Sequence, residues 1–91
     1  MTTTTRVVGP VLVRDAIGDA IVEAIRDGNA GAEVTGQGGY LRVSAPAPCV
    51  VSRAAIEARL GAPIALREEL HRTMVSFAGR LELDDEVARW R

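Results

Sequence analysis

The sequence predicts an α+β fold: a single compact domain of small, mainly antiparallel sheets packed with three helices, in the order β-α-β-β-(β)-α-α-β-β. Three observations predict it. Runs with two-residue alternation, such as Tyr40–Ala45, read as strands with one covered face. Runs with four-residue spacing, such as Ile17, Ile21 and Ile25, read as amphipathic helices. No internal repeat and no linker divides the 91 residues, so one domain spans 1–91.

Residues 1–5, with the polar run Thr2–Thr5, read as a frayed, disordered lead. Val7–Val13 is a strand broken by Gly9-Pro10; proline gives no ladder donor, so this is an edge strand or a bulged one. Asp15–Asp27 is the first helix, capped by Asp15 and stopped by Gly28-Asn29. Gly18 inside it suggests close packing against a strand. Ala32–Thr35 and Tyr40–Ala45 form a hairpin around Gly36-Gln37-Gly38-Gly39. Leu41, Val43 and Ala45 face one way, and Tyr40, Arg42 and Ser44 the other. Pro46-Ala47-Pro48 turns the chain into a short strand, Cys49–Val51. Ser52 caps a second helix, Arg53–Leu60, which Gly61 and Pro63 end. Leu66, Leu70 and Met74 form one stripe of a third helix, Leu66–Ser76, and Gly79 interrupts the chain. Leu81–Leu83 alternates as a strand, turns at Asp84-Asp85, and Val87–Trp90 returns as the last.

Composition removes several classes of function. Eleven basic residues, all arginine, face twelve acidic ones for a net charge of −1. A nucleic-acid binder shows clustered bases and a strongly basic balance, so no nucleic-acid partner is expected. Apolar runs such as Val11-Leu12-Val13 fall far short of a bilayer span, and no charged region precedes an apolar stretch as in a signal peptide. No membrane partner is expected. The one cysteine, Cys49, cannot form an internal disulfide and fits a reducing cytoplasm.

The chemistry-bearing residues do not assemble into a site. His71 is the only histidine and has no second ligand at metal spacing. Cys49 and His71 together suggest a thiol and its base, but a cysteine in a Val-rich strand is more often buried and inert. Gly36–Gly39 precedes a strand and not a helix, so it is a hairpin turn and not a phosphate cradle. Asp84-Asp85-Glu86 lacks the spaced carboxylates of a calcium loop. Glu68 and Glu69 open a helix, where carboxylates complement the dipole. The expectation is a chain with no catalytic residue, no metal and no cofactor, acting by contact.

Several ordered segments carry a family resemblance. They are Val8-Gly9-Pro10, Ala24-Ile25-Arg26-Asp27-Gly28-Asn29, Tyr40-Leu41-Arg42-Val43, and Ser52-Arg53 with Ile56-Glu57. Then come Leu60-Gly61-Ala62-Pro63, Glu69-Leu70, Ser76-Phe77-Ala78-Gly79-Arg80 and Arg89-Trp90. In order and spacing, from about Val7 to Trp90, the chain resembles the MmoB/DmpM-like coupling (effector or regulatory) proteins of bacterial multicomponent soluble diiron monooxygenases. The resemblance implies a non-catalytic, cofactor-less, cytoplasmic accessory protein. Its partner is the diiron hydroxylase component, and indirectly a reductase or ferredoxin. It implies tuning of the hydroxylase so that NADH use and O2 activation stay coupled to hydroxylation or epoxidation of a hydrocarbon. The few residues before Val7 favour the phenol, toluene or alkene type over the long-tailed methane type.

In that family the end of the third helix and the following Gly turn approach the hydroxylase. The resemblance carries this to Thr73, Ser76, Phe77, Ala78, Gly79 and Arg80. Small Ser76, Ala78 and Gly79 permit close backbone approach, and Arg80 can pair with a partner carboxylate. Against this, Phe77 can be core beside Met74 and Leu81, and Gly79 a bulge. Two other classes stay open: a self-associating regulatory α/β domain that binds a small molecule, and a small enzyme using Cys49.

Overall fold

The computed structural model describes residues 6–91, so the expected fraying of residues 1–5 lies outside the described residues. In chain order the elements are β1 (Val7–Val13), α1 (Ala16–Gly28), β2 (Glu33–Gln37), β3 (Tyr40–Pro46) and β4 (Cys49–Ser52). Then follow α2 (Arg53–Leu60), α3 (Leu66–Thr73), β5 (Met74–Ala78), β6 (Leu81–Leu83) and β7 (Val87–Trp90). The strands form a four-stranded sheet, β2-β3-β1-β5, and a three-stranded sheet, β4-β7-β6. Every pairing is antiparallel. The α+β class with three helices and two small sheets is as the sequence predicts.

The caps start and stop the helices where side-chain chemistry demands. Asp15 Oδ1 accepts the Gly18 N–H at 2.7 Å, and Ser52 Oγ accepts the Ala55 N–H at 3.1 Å. Each satisfies a donor that the first helical turn leaves unpaired. Gly18 does lie hard against a strand: a Cβ there would collide with the carbonyl of Val13, the last residue of β1. At the other end of α1, Asn29 works as more than a stop. Its Nδ2 donates to the carbonyls of Ile25 and Val50, both at 2.8 Å, and its Oδ1 accepts the Val50 N–H at 3.0 Å. One side-chain amide thus caps α1 and pairs with β4 as a neighbouring strand would.

The core lies between the helices and one face of each sheet. Ile21 and Ile25 of α1, Ile56 of α2, and Leu66 and Leu70 of α3 are fully or almost fully buried. They meet Val8 and Leu12 of β1, Leu41, Val43 and Ala45 of β3, and Cys49, Ala88 and Trp90 of the smaller sheet. This is the inward set that the alternation in Tyr40–Ala45 predicts.

Two expectations need correction. β1 is not an edge strand, because β3 and β5 flank it; the bulged alternative is what forms. Its ladder to β3 skips Gly9 and Pro10, and its register to β5 shifts between Val11 and Leu12. The missing proline donor therefore falls at an irregularity. Gly9, at φ +143°, brings its backbone so close to the Val43 carbonyl that a Cβ would lie 2.5 Å from the oxygen.

The third helix ends at Thr73 and not at Ser76. Met74 turns extended (φ −85°, ψ 119°), its N–H closing the helix onto the Leu70 carbonyl, and Met74–Ala78 becomes β5. The period-four stripe misleads because Met74, apolar and at helical spacing from Leu70, packs against the core as the first residue of a strand. Valine and phenylalanine at Val75 and Phe77 favour the pleated state, and pairing with β1 supplies the ladder.

Candidate functional site

Alternation leaves the second face of the four-stranded sheet bare. Cross-strand partners share a face, so Val7 with Pro46, Val11 with Arg42, and Val13 with Tyr40 all point away from the helices. On β5, Ser76 sits opposite Val11, and Val75 is the extra residue at the bulge. The exposed large hydrophobic residues are Val7 (54%), Val75 (53%), Tyr40 (49%) and Phe77 (44%), and all four belong to this one sheet. Tyr40 and Val75 line one groove of the sheet and Val7 and Phe77 another, and exposed apolar residues gathered on one sheet make it the candidate contact surface.

β5 is the outer strand of that sheet, with β1 as its sole partner among the described residues. Its sequence, Met-Val-Ser-Phe-Ala, carries none of the charges or prolines that blunt an exposed edge. Beyond Ala78 the chain crosses from one sheet to the other. Gly79 makes that crossing at φ +99°, and a Cβ there would lie 2.6 Å from the Arg91 carbonyl and 2.7 Å from Val8 Cγ1. Arg80 then joins the second sheet: its N–H donates to the Arg91 carbonyl at 2.7 Å and its carbonyl accepts the Arg91 N–H at 2.8 Å. That pair extends the β6–β7 ladder by one step past Leu81 and Trp90. Gly79 is therefore a pivot between sheets and not a bulge.

Of the six residues named from sequence, the structure brings five together. Ser76, Phe77, Ala78, Gly79 and Arg80 run consecutively along the exposed edge and pivot. Phe77 is not core, and Arg80 makes no ion pair among the described residues. Thr73 is set apart. It lies on the inward stripe of α3 with Leu66 and Leu70, is 1% exposed, and its Oγ1 has no hydrogen-bond partner among the described residues. Val7, Tyr40 and Val75 were not singled out by sequence. The outward set Tyr40, Arg42, Ser44 held a signal for the tyrosine; Val75 had none while the segment read as helix.

The reactive candidates are dispersed. Cys49 is fully buried opposite Trp90, and burial pushes its thiol from 9.0 up to about 11. A thiol so shielded is neither nucleophile nor ligand at neutral pH. His71 is exposed on α3, its Nδ1 3.2 Å from the Arg67 carbonyl. A Cys49–His71 pair is not formed. Asp84 Oδ1 accepts the N–H groups of Glu86 and Val87, both at 2.8 Å, and these bonds hold its carboxyl below the usual range. That is a turn device, closing the β6–β7 hairpin. Among the described residues no three His, Cys, Asp or Glu side chains converge as a metal would need. None of the described helices is long and apolar enough to cross a membrane.

Comparison with known proteins gives three findings. The profile of the MmoB/DmpM family matches residues 6–91. The chain is 35% identical over 85 residues to the effector subunit of the alkene monooxygenase system of Xanthobacter autotrophicus (strain ATCC BAA-1158 / Py2), covering 91% of this chain and 83% of that protein. It also superposes on a chain from the solved structure of a phenol hydroxylase–regulatory protein complex. There the TM-score is 0.83 and the identity 26%, over 94% of this chain and 98% of that one.

Proposed function

The chain belongs to the MmoB/DmpM family, and from that premise we propose that it is the effector subunit of a multicomponent hydrocarbon monooxygenase. In this reading it performs no step of the reaction. It binds the diiron hydroxylase component through Ser76, Phe77, Ala78, Gly79 and Arg80 and biases that partner towards a conformation in which reduction and O2 activation stay coupled to oxidation of the substrate. A binding protein shifts such an equilibrium only by its differential affinity for the two states, usually ~1–3 kcal/mol.

The observation that carries the proposal is the uncharged, exposed β5 edge ending in the Gly79 pivot. Phe77, 44% exposed, offers an aromatic anchor whose outer side is open to a partner. Ser76, Ala78 and Gly79 keep the strip low, so a partner helix can approach the backbone, and the Arg80 guanidinium, without an ion pair among the described residues, stands at its end. The likeness to a regulatory protein solved in complex with a phenol hydroxylase supports the choice of partner.

A bulky residue at the edge tests the surface. Ser76→Trp is expected to weaken hydroxylase binding at least tenfold, measured by titration, while moving the melting temperature by no more than a few degrees. An Asp19→Trp control, on the exposed side of α1, is expected to bind as the parent does. Unchanged affinity in the Ser76 variant would remove β5 from the interface.

A further inference from the structure

Three of the eleven arginines converge on one groove. Arg6 precedes β1, Arg89 alternates with the buried Ala88 and Trp90 on β7, and Arg91 follows that strand. The three line one groove of about 450 Å3, with Ala47, Pro48 and Val50 as its apolar floor. Backbone pairing assembles it: the Arg6 carbonyl accepts the Ala47 N–H at 2.9 Å, and Val50 lies opposite Arg89 in the β4–β7 ladder. One carboxylate, Glu82, serves two of the guanidiniums, at 3.1 Å from Arg91 Nε and 3.6 Å from the nearer Arg89 terminal nitrogen. Arg6 makes no ion pair among the described residues. A chain of net charge −1 thus holds a local excess of positive charge here. The groove also adjoins the proposed contact strip, since Arg80 and Arg91 exchange both backbone hydrogen bonds.

We propose that this groove docks an acidic surface segment of the hydroxylase, its carboxylates meeting Arg6, Arg89 and Arg91 while its aliphatic stems cover Ala47, Pro48 and Val50. The inference rests on the reading in the preceding subsection and carries the contact round from β5 onto the second sheet. Two features favour this occupant. Guanidinium forks match carboxylates in bidentate geometry, and the excess charge is positive. The groove is continuous with the edge assigned to the same partner. Charges at the margin of an interface act mostly on association rate and its salt dependence.

Stopped-flow association with the hydroxylase of its own system separates the possibilities. Arg6→Glu is expected to lower the association rate constant about tenfold at low salt, with the deficit closing towards ~0.5 M salt, where the screening length is roughly 4 Å. Arg6→Lys, which keeps the charge, is expected to retain most of the parent rate. Ser76→Trp, run in parallel, is expected to weaken binding at every salt concentration. If Ser76→Trp weakens binding and Arg6→Glu leaves the rate unchanged throughout, the groove is no contact and the effector reading stands. If the parent chain shows no association, both fall together.

Discussion

At Thr73 the last turn of α3 delivers a hydroxyl to the core, where none of the described residues accepts from it or donates to it. Replacing such a group by an apolar one of the same shape is close to neutral or stabilising. Thr73→Val is therefore expected to hold or raise the melting temperature and to leave hydroxylase affinity unchanged. A tenfold affinity loss would return Thr73 to the contact surface. Cys49 gives a second test at this scale. Its folded value of about 11 lies above the ordinary 9.0, so the protonated, buried thiol favours the folded state fully below pH 9. That contribution is lost as the pH rises through 9 to 11, and denaturant midpoints should fall across that window in the parent but not in Cys49→Ala. Iodoacetamide at pH 8 should label Cys49 only as fast as the protein unfolds. Asp84 has the opposite sign: its carboxyl is held low, so its contribution is present at neutral pH and lost as acid protonates it. Asp84→Ala should flatten the acid limb of the stability curve.

Among the elements, the join between α1 and β4 depends on one side chain. Asn29→Ala removes three hydrogen bonds and leaves the Val50 backbone unpaired in a partly buried place. A loss of about 1–3 kcal/mol in denaturant unfolding is expected; a change below a few tenths would mean that water replaces the amide. Sequence located this residue as a helix stop, because Gly-Asn is a local signal. Its bond to β4 is 21 residues away in sequence and had no local trace. The same division runs through the fold. The capping at Asp15 and Ser52, the hairpin around Gly36–Gly39 (its turn narrowed to Gly38-Gly39 because β2 runs on to Gln37), and the inward set Leu41, Val43, Ala45 are all short-range patterns, and all are legible. The α3–β5 boundary is not. Leu66, Leu70 and Met74 continue a helical stripe, and only pairing with a strand sixty-odd positions earlier turns Met74–Ala78 extended. Likewise Pro10 announced an irregular strand but not its interior place. Ser76 to Arg80 were reachable through the family resemblance alone, since composition gives them no chemistry.

For the molecule as a whole, one asymmetry organises the account. Helices cover one face of the four-stranded sheet, and its other face, its β5 edge and the Gly79 pivot stay open beside an arginine-lined groove. The reactive groups are buried, exposed singly, or engaged in turns. The most direct measurement is product formed per NADH consumed by hydroxylase and reductase, with this chain titrated from none to equimolar. The ratio is expected to rise towards one as the chain is added, and Ser76→Trp to require far more protein for the same rise. A ratio, rate and product distribution indifferent to the chain at every concentration would contradict it.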